Sequence, residues 1–208
     1  MRKTVESARA VVTAKRVVVA IAPALQSAIR FDPPLPALRA QLLQRFPMGS
    51  VIKVHAIYDR PFWRDDGLTG FTVSDIGPCR VSFDNTPPSG SPGILMAFVE
   101  AEAARQRLGA SRDDLRRDVL KNFSDYFGPQ AANPTSFHVS DWQEEIWTRG
   151  CPVCFTAPGV LLDYGPAIRE PADRIHWAGT ETSTFWNGYM DGAVRSGERA
   201  AAEVLALL

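Results

Sequence analysis

Cysteine is scarce in this 208-residue sequence, and its three residues are an odd number that excludes a fully paired disulfide framework. So few thiols are typical of proteins from reducing compartments, so we expect a cytoplasmic location. The sequence has no run of about eighteen apolar residues, which excludes an apolar membrane-spanning helix. Its 23 basic and 23 acidic side chains balance, so no charge excess points to nucleic acid or to a membrane surface.

A glycine-rich phosphate-binding motif is also missing from the sequence. No G-x-G-x-x-G occurs, and the nearest stretch, residues 89–93, is broken by Pro92. No internal repeat or low-complexity tract is visible either. What is present is an ordinary globular composition, with 45% hydrophobic and 22% charged residues, which is sufficient for a sizeable core.

Short apolar runs between Gly and Pro clusters predict strands in the first half of the chain. The valine-rich stretch 10–21 predicts two short strands around a turn at residues 14–15. Further strands are predicted at 51–58, 70–74, 80–83 and 94–99. Because turn-forming residues separate these runs, an antiparallel meander is favoured.

Two amphipathic stretches predict helices. Residues 37–46 end before Pro47, and their apolar residues at near-helical spacing are Leu38, Leu42 and Phe46. Residues 111–127 begin with a Ser111 and Asp114 pair that resembles a capping box and stop at Gly128. The apolar stripe of this second helix is Leu115, Val119, Phe123 and Phe127. Strands and helices that come in blocks favour an α+β fold over repeated βαβ units.

The predicted strand 51–58 has two unlike faces. Its even positions are apolar throughout, whereas its odd positions carry Lys53 and His55 among aliphatic residues. A buried lysine is costly unless it is paired or hydrated. Lys53 therefore either lies at a sheet edge or extends its ammonium to water, or it lies in a cavity where it holds a water molecule or takes part in proton transfer.

The stretch around Cys151 and Cys154 leaves several interpretations open. The C-x-x-C spacing occurs in redox dithiols and in halves of zinc sites, but no second such pair exists and the two thiols can equally be unrelated. Trp142 and Trp147 precede the cysteines. They belong either to the core or to a wall for a flat cofactor ring.

The segment 174–205 combines a strand, an aromatic loop and a helix rich in small residues. The strand-like run 175–178 ends in Gly179-Thr180-Glu181, and a loop with three aromatic residues follows. The helix is predicted to begin near Gly188. Its small residues at i, i+4 spacing are Gly192, Ser196 and Ala200, with Gly197 beside them, and such a row permits the close approach of a backbone or a ligand. The N–H groups at its start favour an electron-rich oxygen.

Three stretches together resemble the flavin-containing amine oxidases, the monoamine oxidase family. They are "PMGSVIKVHAIYDRPFWR", "DWQEEIWTRGCPVCFTAPGVLLDYG" and "RIHWAGTETSTFWNGYMDGAVRSGERAA". They occur in the family's order and at plausible spacing, and the resemblance covers the chain from about residue 11 to 205. It implies a mostly antiparallel or mixed sheet with flanking helices, and the C-terminal strand and helix of an FAD domain.

The resemblance assigns roles to individual residues. Lys53 matches the lysine near flavin N5, and Trp142 matches an aromatic residue beside the flavin. Cys151 matches the cysteine that joins the flavin covalently in monoamine oxidases. Tyr189 matches one of two cage aromatics that steer the amine, and the other cage position falls on Pro152, which puts the substrate preference in doubt. The residues implied to line the flavin are Gly179, Thr180, Glu181, Gly188, Met190 and Ala193.

The resemblance also implies a division of the chain and an activity. Residues 1–30 correspond to partial FAD-domain strands, 31–145 to the substrate-binding domain and 146–208 to the C-terminal flavin-binding segment. The implied activity is oxidative deamination of an amine with FAD and oxygen. Because the dinucleotide motif is missing, we expect an N-terminal half to be absent. The alternative is a non-catalytic or split-enzyme subunit that has lost FAD and self-associates or binds a partner.

Overall fold

The computed structural model describes residues 2–208, and they form two compact units. Unit 1 combines the residues up to Gly49 with Pro152–Leu208, and unit 2 is Ser50–Cys151. The predicted segments 1–30, 31–145 and 146–208 are functional divisions, and they stay a prediction.

The strands and helices follow one another in blocks, which confirms the predicted α+β class. The strands are β1 (Lys3–Glu6), β2 (Val11–Ala14), β3 (Val17–Val19), β4 (Val51–Tyr58), β5 (Thr72–Val73), β6 (Cys79–Asp84), β7 (Gly93–Glu100), β8 (Ser136–Asp141) and β9 (Ile175–Trp177). The helices are α1 (Pro23–Gln26), α2 (Ala37–Leu43), α3 (Ala101–Arg105), α4 (Arg112–Phe127), α5 (Val160–Tyr164) and α6 (Met190–Leu205). Within residues 2–208, no helix combines the length and the apolar character needed to cross a membrane.

Unit 2 is built on a five-stranded antiparallel sheet in the order β5-β6-β7-β4-β8. The even residues of β4 are buried, as the alternation predicts, and they belong to one core with α4. The main core residues of β4 and α4 are Ile52, Val54, Ala56, Tyr58, Leu115, Val119, Phe123 and Phe127. Burial of one apolar face in this way fixes the register, because a one-residue slip would turn Lys53 into the core.

Helix α4 begins and ends where the sequence predicts. The Ser111 side chain accepts a hydrogen bond from the Asp114 N–H at 3.1 Å, and its hydroxyl donates to the Asp114 carboxylate at 2.7 Å. Gly128 follows the helix with φ of 89°, a backbone conformation that favours glycine. The cap and the stop together hold the helix in register over the sheet.

Unit 1 contains two small two-stranded sheets. Strands β1 and β2 pair antiparallel, whereas β3 pairs in parallel with β9. The two strands predicted within 10–21 therefore exist, but each pairs with a partner from elsewhere in the chain. Helix α2 buries Leu42 but leaves Leu38 40% exposed, so the near-helical spacing of these residues does not place Leu38 in the core. Arg39 occupies that buried side instead.

Candidate functional site

Lys53 lies on β4, between β7 and β8, so it is not at a sheet edge, whereas its partial exposure is compatible with an ammonium that extends to water. Its side chain is half-buried on the sheet face opposite α4, with Phe98 and Ser140 as its cross-strand neighbours. The ammonium nitrogen lies 5.9 Å from the centroid of the Phe98 ring. Among residues 2–208 no carboxylate lies within ion-pair distance of Lys53, so its charge is held by an aromatic face and by solvent.

Cys151 is the last residue of unit 2, and its thiol is partly buried. Desolvation raises the pKa of Cys151, and the positive charge of Lys53 opposes this rise. The two side chains therefore interact electrostatically, and the lysine favours the thiolate over the thiol. Trp142 and Trp147 lie 36% and 79% exposed, so neither is a core residue.

Gly179 and Thr180 form a rigid turn at the end of β9. Gly179 adopts φ of 105°, a conformation that favours glycine, and its N–H donates to the Ser196 hydroxyl of α6 at 3.0 Å. The Thr180 hydroxyl accepts from the Gly188 N–H at 2.7 Å and donates to the Tyr189 carbonyl at 3.0 Å. One side chain thus holds both the end of the aromatic loop and the start of α6.

The neighbouring residue, Glu181, is buried and accepts two hydrogen bonds. Its carboxylate accepts from the Cys154 N–H at 3.2 Å, while its carbonyl accepts from the Asn187 side-chain amide at 3.2 Å. Cys154 itself is buried, and desolvation raises the pKa of this thiol to about 12. The Cys154 thiol is therefore protonated and unreactive in neutral solution.

The aromatic loop is held in place although its side chains face outward. Phe185, Trp186 and Tyr189 are 68%, 61% and 63% exposed. Trp186 has φ of 50°, which is uncommon for a residue other than glycine, and its ring meets the Tyr189 ring edge-on at 5.5 Å. The loop thus has a defined conformation that leaves three aromatic rings exposed.

Helix α6 begins at Met190, two residues later than predicted, and Tyr189 is its N-cap residue. No side chain caps this end, so the first-turn N–H groups keep their capacity to bind an electron-rich oxygen. Met190 and Ala193 are exposed on this first turn, beside the aromatic loop.

The small-residue stripe of α6 faces the protein's own backbone. Gly192, Ser196 and Ala200 are buried, and a Cβ on Gly192 would lie 2.8 Å from the Trp186 carbonyl carbon and closer still to its oxygen. At Gly192 the atoms that approach are therefore the backbone of the aromatic loop, the first of the two alternatives that the small-residue row leaves open. Gly197 has no neighbour within 4 Å of a built Cβ.

A charged network behind the turn joins α6 to β9. Arg199 donates to the Trp177 carbonyl at 2.6 Å and to the Thr182 hydroxyl at 3.1 Å, and it pairs with Glu203. Glu203 also lies 3.0 Å from Nδ1 of His176, a histidine that is fully buried. Thr182 donates in turn to the Gly179 carbonyl, so the network also holds the turn at Gly179 and Thr180 in place.

The acid stability of unit 1 is expected to depend on Glu203. Desolvation raises the pKa of Glu203, but the hydrogen bonds from His176 and Arg199 outweigh it, and the net pKa lies below 4.5. A carboxylate with a lowered pKa stabilises the fold above its unfolded value and loses that contribution as the pH falls through its folded value. Glu203→Gln should therefore lower the free energy of unfolding by about 1 kcal/mol at neutral pH, and the difference should vanish in acid.

Urea unfolding at several pH values measures this effect. Glu198→Gln, at an exposed position of the same helix, is the matched control and should leave the stability unchanged at every pH. A Glu203→Gln deficit that stays constant down to strong acid would contradict the assigned charge interaction.

Sequence reasoning found most of the turn but missed what holds it. Gly179, Thr180, Glu181, Gly188 and Tyr189 lie together in unit 1, as the strand-loop-helix pattern predicts. Lys53, Trp142 and Cys151 lie in unit 2. The supporting roles of Arg199 and Glu203 were not predicted, although their i, i+4 spacing is a sign of a helical ion pair.

Known proteins match this chain over nearly all its length. The description "flavin containing amine oxidoreductase" matches residues 2–205. The probable flavin-containing monoamine oxidase A of Dictyostelium discoideum is 42% identical over 190 residues, and the putative flavin-containing monoamine oxidase AofH of Mycobacterium tuberculosis is 44% identical over 205 residues. The structure of cyclohexylamine oxidase from Brevibacterium oxydans IH-35A is similar with a TM-score of 0.92 and 37% identity.

The coverage of these matches is one-sided. The matches to the Dictyostelium, Mycobacterium and Brevibacterium proteins cover 91%, 99% and 98% of this chain. They cover only 42%, 44% and 45% of the respective other protein. The chain therefore spans less than half the length of the relatives that it matches.

Proposed function

The chain belongs to the flavin containing amine oxidoreductase family, and from this premise we propose that it carries part of the flavin- and amine-binding surface of an FAD-dependent amine oxidase. The reaction is oxidative deamination of an amine with oxygen as the acceptor. FAD, when bound, supplies the redox chemistry by taking a hydride equivalent from the amine. The cytoplasmic location is part of this proposal, and the free thiols of all three cysteines support it.

The observation that carries the proposal is the double hydrogen bond of Thr180. It fixes the aromatic loop to the start of α6 and leaves the first-turn N–H groups without a side-chain cap. Such N–H groups stabilise negative charge on a ring oxygen, and the exposed, mutually perpendicular rings of Trp186 and Tyr189 offer apolar surface beside them. Donors and rings of this kind fit an isoalloxazine, so Gly179, Thr180, Met190 and Ala193 are the residues proposed to line it.

Lys53 supports the same proposal from unit 2. Its ammonium lies over an aromatic ring, and among residues 2–208 no carboxylate pairs with it, so it can hold a water molecule or take part in proton transfer. Cys151 is proposed as the residue that can attach the flavin covalently; burial raises the pKa of its thiol, and the charge of Lys53 offsets part of that rise. Tyr189 is proposed to steer the amine, and Pro152 at the second cage position makes this steering one-sided.

A flavin-binding titration tests the proposal. FAD added to the purified protein should show quenched flavin fluorescence, and Thr180→Val should weaken binding about tenfold because the isosteric side chain cannot hold the loop. Thr184→Val, at an exposed position in the same loop, should bind FAD like the wild type. Equal affinities for wild type and Thr180→Val would contradict the assigned role.

Denaturation of the loaded protein distinguishes the two modes of flavin attachment. Flavin fluorescence that stays with the unfolded polypeptide indicates a covalent link, and Cys151→Ala should abolish this signal while leaving the fold intact. A covalent adduct that persists in Cys151→Ala would refute Cys151 as the attachment site.

A second candidate function is that of one subunit in a two-chain assembly. The parallel pair of β3 and β9 is a two-stranded sheet within residues 2–208, whereas parallel sheets are normally larger and covered on both faces. A cavity of about 840 Å³ lies beside it in unit 1, lined by Val17, Val19, Phe31 and Ile175 among others. These features favour a partner chain that adds strands, or self-association. Sedimentation of the purified protein separates the possibilities, and a clean monomer that binds FAD would exclude this candidate.

A further inference from the structure

Helix α6 carries an apolar stripe that residues 2–208 leave uncovered. Its members, which follow one another at helical spacing, are Val194, Gly197, Ala201 and Leu205. Val194 and Leu205 are 60% and 71% exposed, and Ala201 is exposed as well. A Cβ built on Gly197 has no neighbour within 4 Å. We call these four residues the open stripe.

The open stripe is separate from the buried side of α6. Each helical residue advances about 100° round the axis, so Gly197 and Ala201 lie about 100° from the buried Ser196 and Ala200. The remaining side of the helix is charged, and its exposed charged residues are Asp191, Arg195 and Glu198. A surface helix with one packing partner has a single apolar side and an opposite polar side. The additional apolar side of α6 therefore predicts a second packing partner.

The position of the open stripe specifies the kind of partner. Helix α6 packs on β9, since the Ser196 hydroxyl accepts from the Gly179 N–H just after this strand. Parallel sheets such as that of β3 and β9 have helices on their faces, and the helices of one layer lie side by side. A neighbouring helix would contact α6 about a quarter turn from its sheet-facing side, where the open stripe lies. Gly197 and Ala201, one turn apart, permit a close approach of the two helix axes.

The lengths of the relatives indicate where such a helix comes from. AofH and cyclohexylamine oxidase each match nearly all of this chain, yet more than half of each of these proteins has no counterpart in it. In a protein of the same fold, that additional polypeptide packs on the part that resembles this chain. Unit 1 has an apolar helix side that is uncovered among residues 2–208, so the additional polypeptide is the occupant that we assign to the open stripe.

A second copy of this chain fits the open stripe less well. Two identical stripes pair about a two-fold axis, and the antiparallel arrangement sets Gly197 of one copy against Ala201 of the other. Glu198 flanks this centre, so the two copies would bring their Glu198 carboxylates close together, and like charges repel. The open stripe therefore favours a partner with a different sequence.

We propose that the open stripe docks an α-helix of a separate polypeptide, one that corresponds to the part of the relatives that this chain does not match. The inference rests on the second candidate function, the two-chain assembly, and it names the surface and the element that meet there. Apolar side chains of the docked helix pack on Val194 and Leu205 at the two ends, and its backbone approaches Gly197 and Ala201 in the middle.

Site-specific photocrosslinking tests the proposal. The full chain, as Leu205→p-benzoylphenylalanine, is coexpressed with the unmatched part of AofH as a separate tagged chain. We expect irradiation of the copurified complex to join the two chains through a helical segment of the AofH part. Arg195→p-benzoylphenylalanine, on the charged side of α6, should give no such adduct. An adduct between two copies of this chain, or no adduct at position 205, would overturn the proposal.

A matched pair of variants separates the open stripe from the rest of the helix. Ala201→Lys places a charge in the middle of the open stripe and should weaken the two-chain complex about tenfold or more, because the ammonium would be buried without a partner. Ala202→Lys, on the charged side, should leave the affinity unchanged. Glu198 lies about one turn before both positions, so each lysine can form a helical ion pair that keeps α6 stable. Equal affinities of the two variants would contradict docking at the open stripe.

Copurification and crosslinking distinguish this inference from the function on which it rests. A complex that forms without the adduct at position 205 overturns docking at the open stripe and leaves the two-chain assembly standing. The absence of any complex with the AofH part contradicts both. Neither readout depends on FAD, so the flavin titration is a separate test.

Discussion

Gly192→Ala is expected to destabilise unit 1 by at least about 2 kcal/mol, near the upper end of the range for overpacking. A Cβ on Gly192 would lie 2.8 Å from the Trp186 carbonyl carbon and 3.0 Å from the Phe185 oxygen. Both neighbours are backbone atoms, so no side chain can rotate away. Either α6 or the aromatic loop must move, and the hydrogen bonds of Thr180 resist that movement.

Gly197→Ala, five residues further along the same helix, is the matched control. A Cβ at this position meets nothing within 4 Å. Alanine in a helix interior is favoured over glycine by about 1 kcal/mol, so this variant should be more stable than the wild type. One substitution type thus has opposite expected signs at two positions of one helix.

Urea unfolding followed by circular dichroism measures both effects. The expected order of midpoints is Gly197→Ala above wild type and Gly192→Ala below it. If alanine raised the midpoint at both positions, helix propensity alone would explain the data. The close packing of the loop on α6 would then be refuted.

How far the sequence predicts the fold depends on the range of the interactions involved. The two faces of β4 and the ends of α4 follow from local pattern, because alternation and capping act within a few residues. The pairing of β3 with β9 joins residues 17–19 to 175–177 and has no local signal. The exposure of Leu38 likewise follows from tertiary packing, since Arg39 takes the buried side of a short helix.

The sequence pattern marked the strand-loop-helix segment of the candidate site but not the contacts that hold it together. The pattern marked the helix start and its uncapped N–H groups, whereas Gly179 was assigned to the site by the resemblance to the amine oxidases. The sequence could not indicate that Thr180 bonds the backbone eight and nine residues later, since any polar residue of the loop was a candidate. Gly192 has an unusual residue type for a helix interior, which signals close approach, but the pattern does not distinguish a ligand from the chain's own loop.

Trp63→Ala is expected to have the largest effect on unit 2, a loss of about 3–5 kcal/mol. Trp63 is fully buried and lies in a short 3₁₀ turn, Phe62–Arg64. Its ring meets those of Tyr58 and Phe127 at centroid distances of 5.9 and 6.3 Å. Its indole N–H also donates to the Asp84 carboxylate at 3.0 Å. Truncation would therefore remove a large apolar contact and one charge-assisted hydrogen bond together.

Two variants divide this effect into its parts. Trp63→Phe retains most of the aromatic packing and loses the indole donor, so its expected cost is about 1–2 kcal/mol. Trp147→Ala removes a tryptophan that is 79% exposed and should change the free energy of unfolding by less than about 0.5 kcal/mol. The ranking of the three variants thus tests burial rather than residue type.

Equilibrium unfolding in urea, with a common slope for all variants, gives the three differences. Loss of the Trp63 ring should also loosen the strand that carries Lys53, because Trp63 contacts Tyr58 at the end of β4. Trp63→Ala should therefore also raise the hydrogen-exchange rate of the β4 amides, whereas Trp147→Ala should leave it unchanged. A fully stable Trp63→Ala protein, or equal losses at Trp63 and Trp147, would show that this aromatic cluster does not hold β4 in place.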